Sequence, residues 1–361
     1  MSARAVAVLI VLLLALGGGA LLVRQQSESR KPAESALLGQ PLLRGLQAAD
    51  VASVVIRQPK SVLTVVRKDD RWTIAERGGF PADFDKVHDF VLKAIELKIA
   101  QAEPIGAKDR ARLHLDAGGT SIEFRGADGK PLARLTAGDK YFKTAPDDPG
   151  KALGDGRYVM LPGDDQRVFV VADALAQAST RSADWISKAG IAADKIASLE
   201  FRGAPGAPNG SSWRVERAGD NADWKLAGLR GDEKLDVTKA NAAAYAFGQI
   251  DIADVAPPET RPEDAGLDKP AVATATTFDG LTYVLRLGKA EGDKSYASIA
   301  VSGEPKAGQG KDAEARAKKL AERLARERAL APYIVLIPKQ KLGDIPGTRA
   351  DLLMKKEDKK K

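Results

Sequence analysis

The chain of 361 residues contains no cysteine. A disulfide framework, a thiolate nucleophile, a cysteine-ligated zinc and a lipidated-cysteine anchor are therefore excluded. Histidine is nearly absent too. His88 and His114 are the only two, too few for a histidine-rich metal site. Aromatic residues make up 5% of the chain, and no basic stretch carries the aromatic side chains on which bases stack. Lys and Arg number 56 against 49 Asp and Glu, a formal net charge of +7. That excess is modest for the length, and no nucleic-acid partner is expected. No G-x-S-x-G, Walker loop, strand-following G-x-G-x-x-G, H-E-x-x-H or D-x-D-x-D-G calcium loop occurs. The glycine run Gly17-Gly18-Gly19 lies inside an apolar stretch and cradles no phosphate. The expectation is a chain without cofactor, metal or catalytic residues, not an enzyme.

Long apolar runs are also scarce, with one exception. Ala5 to Val23, AVAVLIVLLLALGGGALLV between Arg4 and Arg24, is 19 uncharged residues long. At roughly 1.5 Å per residue, a helix of that length spans about 28 Å and matches a hydrocarbon core. A cleaved signal peptide is the rival, with Gly18-x-Ala20 as its small-x-small site. Leu21, Leu22 and Val23 continue the apolar run past that site and favour an uncleaved anchor. Arg4 and the α-amine hold the N-tail inside, while Arg24, Arg30 and Lys31 compete just after the span. The signal-like segment and the cysteine-free body favour a body on the outer side of the membrane. Gln25 to Pro41 read as a tether. The closing KKEDKKK reads as solvated disorder, or as a contact for anionic lipid or an acidic partner.

Self-similarity follows the tether. VASVVIR (51–57) matches IASLEFR (196–202), and VLTVVRKDDRW (62–72) matches WRVERAGDNADW (213–224). FDKVHDFVLKAIELKIA (84–100) matches VTKANAAAYAFGQIDIA (237–253), PLARLTAG (131–138) matches YVLRLGKA (283–290), and RYVML (157–161) matches SYASI (295–299). QRVFVVADAL (166–175) then matches YIVLIPKQKL (333–342), and STRSADWI (179–186) meets GTRADLLM (347–354). Because the pairs keep one order, the chain reads as an anchor at 1–24, a tether at 25–49 and two repeats at 50–190 and 195–355. A charged insertion at 303–332 and a basic tail at 356–361 complete it.

Each repeat is expected to be an α+β unit, mainly antiparallel sheet with a helix packed on one face. VLTVVR and WTIA carry β-branched residues between turn signals. Phe84, Val87, Phe90, Val91, Ala94, Ile95 and Ile99 fall near helical spacing, with Asp83 and Asp85 as dipole-favourable charges at the helix start. In TSIEFRG, Glu123 and Arg125 alternate with Ile122 and Phe124, a half-buried strand that enters a hairpin turn at Asp128-Gly129. Asp147-Asp148 and Asp164-Asp165 read as turns, Trp72 and Trp224 as core, His88 and His114 as surface or capping residues. The insertion pairs Glu314 with Lys318 and Glu322 with Arg326 at i,i+4. Its narrow stripe of Ala313, Ala317, Leu320 and Leu324 suits a solvated helical excursion, with a docking helix for a partner as the alternative.

The doubled motif at 180–184 and 348–351 has a structural reading. Each Thr caps the following turn, and Arg181 and Arg349 bridge to Asp184 and Asp351. Its rival makes Arg181 and Arg349 two ligand patches for a glycan or small anionic ligand.

The anchor, D-V-x-S-V-x-I, the Val-x-Arg-x-x-x-x-W strand pair, F-P-A-D before a helix and the R-S-x-D-W close resemble the domain of unknown function 4340 family. Residues 51–83 and 166–186 carry the resemblance. It implies a membrane-tethered auxiliary of gliding-motility-type ABC transport systems, single-pass in a bacterial inner membrane with its body in the periplasm, with an ABC-transporter or envelope protein as partner and no catalytic residues to carry over. The insertion at 306–330 departs from the family pattern.

Overall fold

The computed structural model describes residues 36–144, 146–306 and 312–355. The expected anchor, residues 25–35 of the tether and the tail from residue 356 lie outside the described residues. No helix among the described residues is long and apolar enough to cross a membrane.

In chain order the first elements are β1 (Ser53–Gln58), β2 (Ser61–Lys68), β3 (Arg71–Ile74), β4 (Phe80–Pro81), α1 (Phe84–Glu96) and β5 (Ile99–Pro104). They continue with α2 (Ala107–Arg112), β6 (Thr120–Arg125), β7 (Pro131–Tyr141), β8 (Gly156–Met160), β9 (Arg167–Val171), β10 (Ala189–Ala192) and β11 (Ile196–Arg202). Next come β12 (Ser212–Glu216), β13 (Lys225–Leu226), α3 (Val237–Gly248), β14 (Gln249–Asp251), β15 (Asp254–Val255) and β16 (Ala271–Thr277). The last are β17 (Leu281–Glu291), β18 (Lys294–Gly303), α4 (Ala313–Arg328), β19 (Val335–Pro338) and α5 (Lys339–Leu342). The molecule is α+β, its strand pairs antiparallel.

Two compact units divide it. Of the described residues, the first holds 36–67 together with Asp85–Thr180; the second holds Lys68–Phe84 and those from Arg181 onward.

In the first unit the strand order is β2-β1-β6-β7-β8-β9-β5. Val54, Val55 and Ile56 of β1 are all buried, which explains their broken alternation: this central strand is covered on both faces. Helix α1 buries Val87, Phe90, Val91 and Ala94, and the Phe90 ring stacks 6.1 Å from that of Phe124. The helix stops at Glu96, short of the expected residue 99 or 100, because the next backbone groups turn to another segment. Leu42 N donates to Leu97 O, and Gly39 N donates to Ile99 O. Leu42, Leu43 and Leu46 are buried, so the stretch read as tether joins the body before residue 50.

Glu123 also departs from expectation. It is 2% exposed rather than solvated. Arg125 and the cross-strand neighbour Arg134 both bind its carboxylate. Burial raises its pKa, and the hydrogen bonds from the two guanidinium groups outweigh that and hold it below the ordinary value. The Asp128-Gly129 hairpin forms as read, with Gly129 at φ 77°.

In the second unit the order is β13-β12-β11-β16-β17-β18-β19-β15, beside a small β10-β14 pair. From β12 to β15 this repeats the order from β2 to β5. Here alternation is clean. Ala273 and Ala275, Leu281, Tyr283 and Leu285, then Ala297, Ile299 and Val301 are buried, with less buried residues between them. Asp236 caps α3, accepting from Thr238 N at 3.1 Å. Ala240, Ala243 and Ala246 let the helix lie close against its sheet. Trp224 is buried as expected; Trp72 is only half-buried.

Three backbone devices occur twice. His114 and Gly266 both hold positive φ, 50° and 69°, at the end of a short turn. Gly138 and Gly288 sit at bulges in β7 and β17 where an added Cβ would meet a carbonyl at 2.1 Å, Leu113 O and Ala265 O respectively. The next residue donates to that same carbonyl, Asp139 N to Leu113 O and Lys289 N to Ala265 O, both at 2.9 Å. Finally, each doubled motif forms a short 3-10 turn, Ser182–Asp184 and Arg349–Leu352, followed by a bridge to the residues that enter a helix. Ile186 bridges Ala82, and Leu353 bridges Leu235. Asp83 N donates to Trp185 O, and Asp236 N to Leu352 O. Trp185 and Leu352 fill the same role, 2% and 0% exposed.

Candidate functional site

The two arginines of the doubled motif do not share a geometry. Arg181 is largely exposed and grips Asp184 with both edges of its fork, Nε to Oδ2 at 2.9 Å and Nη2 to Oδ1 at 3.2 Å. Arg349 was expected to bridge Asp351. It reaches Glu233 instead, through Nη1 to Oε1 at 3.1 Å and Nη2 to Oε2 at 2.7 Å, and also donates to Gly228 O at 2.8 Å. That pairing, with a backbone bond from Arg230, lowers the Glu233 pKa to about 2. Asp351 is left to Thr348, whose N and Oγ1 both donate to it in a capping box. Thr180 caps nothing comparable. It bonds Gln58 Oε1 at 2.9 Å and Ser61 Oγ at 2.7 Å. Ser182 takes up the structural work and donates to Asp254 Oδ1 at 2.7 Å. His114 stands exposed with Nδ1 at 2.8 Å from Asp139, a carboxylate distant in sequence.

The insertion supplies what the motif does not. Helix α4 forms between β18 and β19 and is mostly exposed, as the solvated excursion was expected to be, but one side packs on β18 and buries Leu324 and Glu327. Glu327 is fully buried. Its Oε1 accepts from Ala192 N at 3.0 Å and its Oε2 from the Tyr283 hydroxyl at 3.0 Å. Burial raises the Glu327 pKa against the opposing effect of these bonds and of Arg323, and burial raises that of Tyr283 as well.

One turn earlier, Arg323 opens onto a cleft of about 720 Å³. One wall is the α4 face bearing Arg316, Lys319, Leu320 and Arg326. The other comes from three loops, with Asp194 and Lys195 after β10, Phe278 and Asp279 after β16, and Lys306 after β18. Six cationic side chains line it against three carboxylates. Arg323 is 14% exposed and donates Nη1 to Asp194 Oδ2 at 3.0 Å. Its Nε and Nη2 are buried without any acceptor among the described residues. The cations of α4 recur near helical spacing and were legible in the sequence. The facing loops were not, because Lys195 and Lys306 stand 111 positions apart (306 − 195). Among the described residues no group of three His, Asp or Glu side chains is placed to hold a metal.

Residues 72–270 match the family described as domain of unknown function DUF4340. The chain belongs to that family. The match is one span covering just over half the chain, from Trp72 in β3 to the residue before β16. Helix α4 and the bulge at Gly288 lie beyond it. The curated proteins and the solved structures gave no match.

Proposed function

We propose that this DUF4340 chain is a membrane-anchored, non-enzymatic envelope protein, an auxiliary or scaffold of an ABC-type transport system. Its body stands in the periplasm of a bacterium and consists of two α+β units that arose by duplication. The observation that carries the scaffold reading is the doubled backbone plan. A repeated strand order, paired bulges at Gly138 and Gly288, and paired closing bridges at Ile186 and Leu353 are devices for holding a surface in place. The side chains that the doubled motif offers for chemistry are committed to that plan, Arg349 to Glu233 and Arg181 to Asp184. The apolar run from Ala5 to Val23 supports the anchor. The transporter link rests on the family resemblance.

Photo-crosslinking from exposed positions of the full-length chain in native membranes tests the reading. A transporter subunit is the expected adduct, and recovery of no transporter or envelope protein would remove the scaffold role. Orientation is checked separately with an alkaline phosphatase fusion after residue 40. Activity is expected, and an inactive fusion reverses the topology.

A further inference from the structure

We propose that the cleft beside α4 is a binding site for a phosphoryl group, with Arg323 as its bidentate anchor. This goes beyond the scaffold reading and stands without it. A guanidinium presents its most specific edge through Nε and Nη2, two parallel N–H groups matched to two oxygens of a phosphate or carboxylate. In Arg323 that edge is the unsatisfied one. Asp194 occupies only Nη1. Leaving two buried donors unpaired is costly, and an oxyanion in the adjoining cleft removes the cost.

Charge decides between oxyanions. With six cationic side chains against three carboxylates, the lining retains an excess positive charge after Asp194 is counted. A dianionic phosphoryl group answers that excess better than a monocarboxylate does. Lys195 and Lys319 are exposed on opposite walls, where their ammonium groups can close on the outer oxygens once their long stems swing aside to admit the ligand. Phe278 and Leu320 give the remainder of the ligand an apolar surface, and the volume is of the size that small-molecule sites use. Both a soluble phosphoester and a lipid head group present this chemistry.

The test is titration calorimetry on the full-length chain in a zwitterionic detergent at constant ionic strength. The probes are pyrophosphate and short-chain phosphatidic acid, with short-chain phosphatidylcholine, whose zwitterionic head has no terminal dianionic phosphate, as the control. Saturable one-to-one binding is expected for at least one phosphoryl probe and not for the control. Arg323→Lys keeps the charge and loses the fork, and should weaken binding at least about tenfold. Lys319→Ala should weaken it by a smaller factor. Asp194→Asn removes the competing carboxylate and should tighten binding, a prediction that survives if Arg323→Lys folds poorly. Pyrophosphate binding assigns a soluble phosphoester, whereas binding of phosphatidic acid alone assigns a lipid head group. No saturable heat with either probe at millimolar concentration overturns the site. So does an Arg323→Lys protein that binds like the parent, or an Asp194→Asn protein that binds no tighter.

Discussion

Glu233 and Arg349 show how a single pair sets acid behaviour. The folded-state pKa of Glu233 is about 2, against an ordinary value of 4.5. The unfolded chain therefore takes up a proton before the folded one does. The pair's contribution is fully present above pH 4.5 and disappears as pH falls toward 2. Glu233→Gln should lower the urea midpoint at pH 7, with the gap to the parent closing as the pH approaches 2. A gap that stays constant with pH would dismiss the linkage. Glu327 works with the opposite sign. Its raised pKa means the folded chain holds that proton longer, so its ionisation opposes folding as pH climbs through and above 4.5. Glu327→Ala removes the acceptor of Ala192 N and of the Tyr283 hydroxyl. Each buried donor left unpaired costs about 1–3 kcal/mol; removing a carboxylate whose ionisation opposes folding offsets part of the two costs, so urea denaturation at pH 7 should show a net loss on the order of one such cost. Little of this was legible beforehand. Glu327 sits in an ordinary charged helical run, and only the packing of α4 distinguishes it from its neighbours.

Helices and bulges were legible to different depths. The apolar spacing of α1 named its buried residues Val87, Phe90, Val91 and Ala94 correctly, since helical periodicity is local. Its end comes earlier than the periodicity suggests because Leu97 and Ile99 bond Leu42 and Gly39, 55 and 60 residues back in the chain (97 − 42 and 99 − 39). For α3 the cap is local, and Asp236→Ala should cost about 1 kcal/mol by chemical denaturation. The bulges were out of reach of pattern matching. The aligned stretches PLARLTAG and YVLRLGKA put Gly138 opposite Ala290, whereas the bulges put it opposite Gly288. Gly288→Ala forces a Cβ to 2.1 Å from Ala265 O. It should destabilise the second unit well beyond what the same change does at exposed Gly347, where an added Cβ meets nothing within 4 Å.

At the scale of the whole molecule, sequence order and compact units part company. Lys68–Phe84 belongs with the second unit. Within that unit Phe80 is fully buried, its ring edge-on at 4.9 Å to Tyr333, and Ile74 is fully buried too. A fragment ending at residue 190 strips the β3–β4 segment of those partners. It should show a broad, weakly cooperative urea transition, in contrast to the full-length chain. A sharp transition in the fragment would mean that 68–84 folds without them.

Composition and periodicity by themselves determined the class of the molecule. They ruled out cysteine chemistry, marked an apolar run of membrane-spanning length, and set the α+β plan and the turns, because each depends on residues close together in the chain. Tertiary structure decided the rest. It chose the partners of Arg349 and Thr180, buried Glu123 and Glu327, brought the 68–84 segment into the second unit, and assembled a basic cleft from three loops and a helix. For Glu123 the deciding partner is Arg134 on the neighbouring strand, and for Arg349, Thr180 and Glu327 the partners stand more than a hundred residues away; local spacing carries no record of either.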